Sequence, residues 1–121
     1  MENGQLHHIE YYVDDLNKSN EFWSWLLEIF NYEKEEFPGG TTWIPKTGPY
    51  IVFVQAENKH LNANNNRHGN GLNHIAFQGS TLEHLKNLET ELKKRNIKII
   101  KTDDKHLCFE DPNNFAIEIF L

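Results

Sequence analysis

Gly69-Asn70-Gly71-Leu72-Asn73-His74-Ile75-Ala76-Phe77-Gln78 decides how this chain is read, because its centre occurs twice. Leu72-Asn73-His74-Ile75 echoes Leu6-His7-His8-Ile9, and each copy opens a short run of alternating apolar character. A helix-like segment follows each copy, then short strands, then a closing strand. The closing strands are Tyr50-Ile51-Val52-Phe53-Val54 and Phe115-Ala116-Ile117-Glu118-Ile119. Phe53 lies 45 positions after His8, and Glu118 lies 44 after His74, which aligns Phe53 with Glu118. Self-similarity of this kind marks a supersecondary unit built twice.

Composition narrows the function classes. At 121 residues the chain is one domain's worth, with 38% hydrophobic and 25% charged residues, the balance of a soluble globular protein. A net charge of −6 argues against a nucleic-acid partner, which would favour a basic face. The single cysteine, Cys108, has no partner for an internal disulfide, which points to a reducing cytoplasm. Met1 to Gln5 lacks a basic and an apolar region, so no signal peptide is read, and no stretch reaches the ~18 apolar residues of a membrane helix. The expectation is a cytoplasmic protein acting on a small molecule.

The pattern predicts βαβββ twice. In the first copy, strands run over 6–13, 32–37, 41–45 and 50–55, and a helix capped by Asp15 or Asn17 carries Phe22, Leu26, Ile29 and Phe30 on one face. Trp23 and Trp25 read as packing or dimer-contact residues. In the second copy, strands run over 72–78, 97–101, 105–110 and 115–121. Its helix, opened by a Ser80/Glu83 capping box, bears Leu82, Leu85, Leu88 and Leu92 and ends near Arg95-Asn96. Module one spans about 5–56, module two 72–121, and the asparagine-rich segment 57–71 joins them as a linker. The fold class is therefore α+β, with each helix packed on one face of its sheet.

Alternation assigns Ile9, Tyr11, Val13, Val52, Val54, Ile75, Phe77, Ile117 and Ile119 to the helix side. It assigns His8, Glu10, Tyr12, Phe53, Gln55, His74, Ala76, Gln78, Ala116 and Glu118 to the opposite face, joined by Trp43, His106 and Cys108. That face collects two histidines and a carboxylate from three strands, the donor set that Fe(II), Mn(II), Zn(II) and Ni(II) accept. A histidine on a half-buried strand is more often a packing residue. Glu118, however, sits between Ile117 and Ile119, where a carboxylate needs a partner.

The chain resembles the vicinal-oxygen-chelate superfamily, which includes glyoxalase I, fosfomycin-resistance enzymes, extradiol dioxygenases and bleomycin-resistance proteins. The resemblance rests on His8 with Val13-Asp14-Asp15-Leu16 and Phe22-Trp23, on Gly71 to Phe77, and on Asp111-Pro112-Asn113-Asn114 running into Ala116-Ile117-Glu118. It implies paired βαβββ modules forming an open, barrel-like curved sheet around a divalent metal, with helices on the outer face. It also implies a homodimer, and His8, His74 and Glu118 as the metal ligands. Glyoxalase I carries a fourth ligand, commonly glutamate, at the position the repeat alignment gives to Phe53, so glyoxalase I activity is not expected.

Two functions follow as expectations. One is a metal-dependent lyase, isomerase, thiol transferase or dioxygenase acting on an oxygen-chelating substrate. There Glu10 or Gln55 would assist proton transfer, and Tyr12, Trp43, Phe53 and His106 would line the pocket. The other is a metal-free binding protein of the bleomycin-resistance kind, holding a small molecule in an acidic, Trp-lined groove. Cys108 reads as a small packing residue rather than a nucleophile.

Overall fold

Each helix begins and ends on signals written in its own residues. In the computed structural model, which describes residues 3–61 and 66–121, helix α1 (Leu16–Ile29) starts at Asp15, whose carboxylate accepts from the Lys18 backbone N–H at 3.1 Å. Helix α2 (Leu82–Lys94) starts at Thr81, whose hydroxyl accepts from the His84 N–H at 3.1 Å. The cap thus falls one residue after the Ser80 expected from the capping-box spacing. Ser80 instead places its hydroxyl against His84 Nδ1.

Both helices stop in the same way. Asn31 and Asn96 adopt left-handed backbone, with φ of 61° and 55°. The Asn31 N–H reaches Glu28 O and the Tyr32 N–H reaches Leu27 O, each at 3.0 Å. In the second copy Asn96 reaches Lys93 O at 3.1 Å and Ile97 reaches Leu92 O at 3.0 Å. This paired 5→2 and 6→1 closure satisfies the orphan carbonyls of the last turn, and asparagine tolerates the positive φ better than most residues. Asn96→Ala is expected to lower stability by about 1 kcal/mol and Asn96→Gly to leave it within about 0.5 kcal/mol, as measured by urea denaturation.

The strands are β1 (His8–Val13), β2 (Glu33–Phe37), β3 (Gly40–Ile44), β4 (Tyr50–Gln55), β5 (His74–Gln78), β6 (Ile99–Thr102), β7 (His106–Glu110) and β8 (Ala116–Phe120). They form two four-stranded mixed sheets, ordered β1-β4-β3-β2 and β5-β8-β7-β6. In each, the first and last strands of the module pair in parallel and the remaining pairs are antiparallel. This is the α+β fold of two βαβββ repeats. The chain divides into two compact units at 63/64, inside the expected linker. That linker contains one helical turn, Asn58–His60, while its residues 62–65 lie outside the described residues.

In the first unit Phe22, Trp23, Leu26 and Leu27 of α1 are buried, and α1 contacts β3 and β4. Trp43, Ile51 and Phe53 are buried with them, and Trp23 meets the Phe53 ring at 4.8 Å between centroids. In the second unit Leu85, Leu88 and Leu92 of α2 are buried along with Leu107, Phe109, Ile117 and Ile119. Burial of aromatic and branched side chains on these faces, at ~25 cal/mol per Å², is the main stabilising contribution in each unit.

Candidate metal and substrate site

Strand register assigns the faces more firmly than alternation does, because residues paired across neighbouring strands share a face. In the second sheet His74 pairs with Ala116, Ala76 with Glu118 and Gln78 with Phe120. On the far side of β8, Ala116 pairs with Glu110, Glu118 with Cys108 and Phe120 with His106. His74, Glu118, His106, Cys108 and Glu110 therefore lie on one face, away from the apolar side formed by Leu107, Phe109, Ile117 and Ile119. Alternation assigns His74, Glu118, His106 and Cys108 to this face; register adds Glu110 to it.

Glu118 sits at the centre. His74 Nε2 is 3.6 Å from Glu118 Oε2, and His106 Nε2 is 4.0 Å from Glu118 Oε1. Each imidazole is held through its other nitrogen. The Asn73 amide donates through Nδ2 to the Arg67 carbonyl at 3.0 Å, which leaves its Oδ1 to accept from His74 Nδ1 at 2.9 Å. His106 Nδ1 lies 3.1 Å from Asp103 Oδ1. Hydrogen bonds from the Lys105 backbone first, and then from the His106 side chain and backbone, hold the Asp103 carboxyl down to about 2. Asp103 is thus ionised at neutral pH and takes the Nδ1 proton. In both histidines Nδ1 is tied to a side-chain oxygen and Nε2 faces an oxygen of Glu118. Each Nε2 can meet the carboxylate either by carrying a proton, as an ion pair, or by sharing a cation with it.

His74 and Glu118 together offer two donors of the kind a divalent ion accepts. Separations of 3.6 and 4.0 Å lie within the span of two metal–ligand bonds of roughly 2.0–2.2 Å. Histidines anchored through Nδ1 by a side-chain oxygen are the usual form of metal-ligating imidazole. Among the described residues, no three His, Cys, Asp or Glu side chains are gathered closely enough to enclose an ion. The structure brings His74 and Glu118 together, with His106 beside them.

The first unit carries His8, Glu10 and Tyr12 on one face of its own sheet. His8 stacks on Tyr50, centroids 4.9 Å apart and planes 5° from parallel, and its Nδ1 lies 2.8 Å from His7 Nδ1. β1 pairs His8 with Tyr50, Glu10 with Val52 and Tyr12 with Val54. Tyr50, Val52 and Val54 therefore share the His8 face, whereas the sequence placed Val52 and Val54 under the helix. Phe53 pairs with Tyr11, stacks on it at 5.8 Å and is fully buried. Trp43, paired with Ile51, is likewise fully buried. Neither side chain lines the His8 face, and both expected pocket roles are corrected.

Gln55 is corrected too. It pairs with Val13 on the Phe53 side, and its amide is spent on backbone. Oε1 accepts from the Leu16 N–H at 2.9 Å, and Nε2 donates to Asp14 O at 2.8 Å. It ties β4 to the turn that starts α1 and has no donor left for proton transfer.

The repeat equivalence moves by one residue. Val52 lies 44 positions after His8, as Glu118 does after His74, and Val52 pairs with Glu10 as Glu118 pairs with Ala76. The fourth-ligand position is therefore Val52, not Phe53. Valine has no donor atom either, so a carboxylate ligand is missing there all the same. Within that row the two modules exchange strands: apolar on β5 and acidic on β8 in one, acidic on β1 and apolar on β4 in the other. Glu10 is the carboxylate that alternation alone singled out.

Cys108 sits beside Glu118. Burial first, and then the Glu118 carboxylate, push its thiol above the ordinary value. A raised thiol holds less thiolate at neutral pH, so alkylation of metal-free protein at pH 7–8 is expected to run at least several-fold slower than for free cysteine and to climb above pH 9. Iodoacetamide labelling followed by mass spectrometry checks this.

Among the described residues, no helix is long and apolar enough to cross a membrane. The model of the Glyoxalase/Bleomycin resistance protein/Dioxygenase superfamily matches residues 7–111. YqjT of Bacillus subtilis (strain 168), itself uncharacterised, is 32% identical over 124 residues, covering 94% of this chain and 96% of that one. A glyoxalase-like protein of Bacillus halodurans, solved by crystallography, superposes with a TM-score of 0.87 at 34% identity, covering 97% of this chain and 95% of that one. At 24% identity the likeness is one of fold: a variant of the Listeria monocytogenes fosfomycin resistance protein FosX, complexed with Mn(II) and 1S,2S-dihydroxypropylphosphonic acid, gives a TM-score of 0.70 over 99% of this chain and 90% of that one. A match over most of the chain, joined to two copies of βαβββ with paired histidine positions, makes this protein a member of the glyoxalase/bleomycin resistance protein/dioxygenase superfamily.

Proposed function

We propose that this chain is a divalent-metal-dependent enzyme acting on a small substrate that offers two neighbouring oxygens, with lyase, isomerase, thiol-transferase or dioxygenase chemistry. The observation that carries this reading is the convergence of the His74 and His106 Nε2 atoms on the two oxygens of Glu118, with each ring tied down through Nδ1. His74 and Glu118 hold the metal. His8 enters as third ligand on the family resemblance and on its equivalence to His74. Once bound, the metal polarises the substrate oxygens and stabilises developing negative charge. Glu10 takes up or returns a proton, Tyr12 contacts substrate, and His106, held by Asp103, orients a substrate hydroxyl or water near Glu118. Val52 in place of a carboxylate counts against glyoxalase I activity. The Mn(II) seen with FosX makes Mn(II) the first ion to try, followed by Fe(II), Ni(II) and Zn(II).

The test is elemental analysis and metal titration of protein purified without a chelator or a nickel column. About one equivalent of bound ion per chain is expected. Less than about a tenth of an equivalent, with no uptake on titration, overturns the reading in favour of a metal-free sequestering protein. Light scattering after gel filtration is expected to show two chains per particle, the homodimer the resemblance implies.

A further inference from the structure

Arg67 stands on the same face of the second unit as Glu118, through its bond to Glu110. It precedes β5, and its carbonyl is fastened by the Asn73 amide that also orients His74. Its guanidinium donates through Nη1 to Glu110 Oε1 at 2.9 Å, and both side chains are largely shielded, 22% and 12% exposed. Glu110 pairs with Ala116, in the same row as His74 and next to the row of Glu118 and Cys108. The 2.9 Å bond to Glu110, beside Cys108 and Glu118 in register, is what holds the guanidinium near that row.

The charge count around Glu110 is uneven. Lys98 Nζ is also 3.5 Å from Glu110 Oε1, so two cations share this carboxylate. Among the described residues, Glu110 is the one acceptor for the Arg67 side chain, and a guanidinium has five N–H donors. A purely structural clamp would be complete with one cation. A half-buried guanidinium with donors to spare, beside a candidate metal site, is suited to an oxygen anion approaching in the plane of its fork.

We propose that Arg67 is the binding residue for a carboxylate or phospho group of the substrate, with Glu110 aiming the guanidinium and Lys98 adding charge. The substrate is then an anion whose charged group reaches Arg67 while its neighbouring oxygens reach the metal. This deepens the metal-enzyme reading and rests on it for the second half of that statement only. The anion site itself is testable without metal.

The experiment is an NMR titration of full-length, chelator-treated protein with inorganic phosphate at constant ionic strength, with chloride as the reference anion. The Arg67 Nε–H and the amides of Cys108, Ala116 and Glu118 are expected to shift and saturate in the millimolar range. Arg67→Ala is expected to weaken binding at least about ten-fold, and Arg67→Lys to retain part of it. Glu110→Gln removes the competing carboxylate and is expected to tighten phosphate about three- to ten-fold, the opposite of what loss of a structural clamp would do. No saturable shift in the parent protein, unchanged affinity in Arg67→Ala, or weaker binding in Glu110→Gln overturns the proposal. Because metal is absent, failure of metal uptake leaves this result standing. Metal uptake with no phosphate effect sinks the anion site alone.

Discussion

His74→Ala and Glu118→Gln are each expected to weaken metal binding by at least about a hundred-fold, on the scale of the several kcal/mol that one ligand contributes to a structural metal site. The two changes act differently. His74→Ala removes the Nε2 lone pair that stands 3.6 Å from Glu118, whereas Glu118→Gln keeps shape and volume and removes the charge on which both histidines converge. Asn73→Ala touches no metal, but it frees the His74 ring by deleting the oxygen that takes its Nδ1 proton, and is expected to cost about ten- to a hundred-fold in affinity. Cys108→Ala, on the same face, is expected to change affinity little. Thermal unfolding gives a second readout. Saturating metal at a hundred times the parent's dissociation constant adds about 2.7 kcal/mol to the parent protein, and no more than about 0.4 kcal/mol to His74→Ala. Equal metal-induced stabilisation in all four variants would show that the ion binds elsewhere.

Phe53→Ala is expected to destabilise the protein by about 3–5 kcal/mol, measured by chemical denaturation, and to leave the metal affinity of the folded fraction unchanged. The ring is fully buried, sandwiched between Trp23 of α1 at 4.8 Å and Tyr11 of β1 at 5.8 Å, so truncation opens a cavity under the helix. Phe53→Leu, which keeps most of the volume, is expected to recover much of the loss. A residue lining a substrate pocket would behave in the reverse way, tolerating truncation in stability and losing ligand. Val52→Ala, on the His8 face, offers the contrast. It removes less volume, and its cost is expected to be near 1–2 kcal/mol.

The way Phe53 and Val52 exchange faces explains what the sequence could and could not tell. Strands β1, β5 and β8 alternate clearly, because one side meets a helix and the other carries His8, Glu10, His74 or Glu118. Their faces were legible, and with them His74, His106, Cys108 and Glu118 as neighbours. Helix limits were legible to within a residue or two, since Asp15, Thr81, Asn31 and Asn96 are local signals acting on local backbone. β4 is different. Ile51, Val52 and Phe53 are all buried, so a period of two leaves no trace in the composition, and a one-residue slip reverses every side chain at no visible penalty. Matching Phe53 rather than Val52 to Glu118 is such a slip, and it puts Gln55 and Trp43 on the wrong side as well. The Arg67–Glu110 pair, 43 residues apart, left no local mark at all.

The chain itself determined that one βαβββ unit is used twice, where each helix starts and stops, and that a histidine opens both copies at matching places. These follow from periodicity, capping and turn chemistry acting over a few residues. Tertiary structure decided which side of β4 faces α1, which nitrogen of His74 and His106 is tied down, and that Arg67 closes on Glu110. Each of these depends on hydrogen bonds and packing between strands far apart in sequence, where pairing geometry rather than local preference selects among choices the residues alone leave equal in energy.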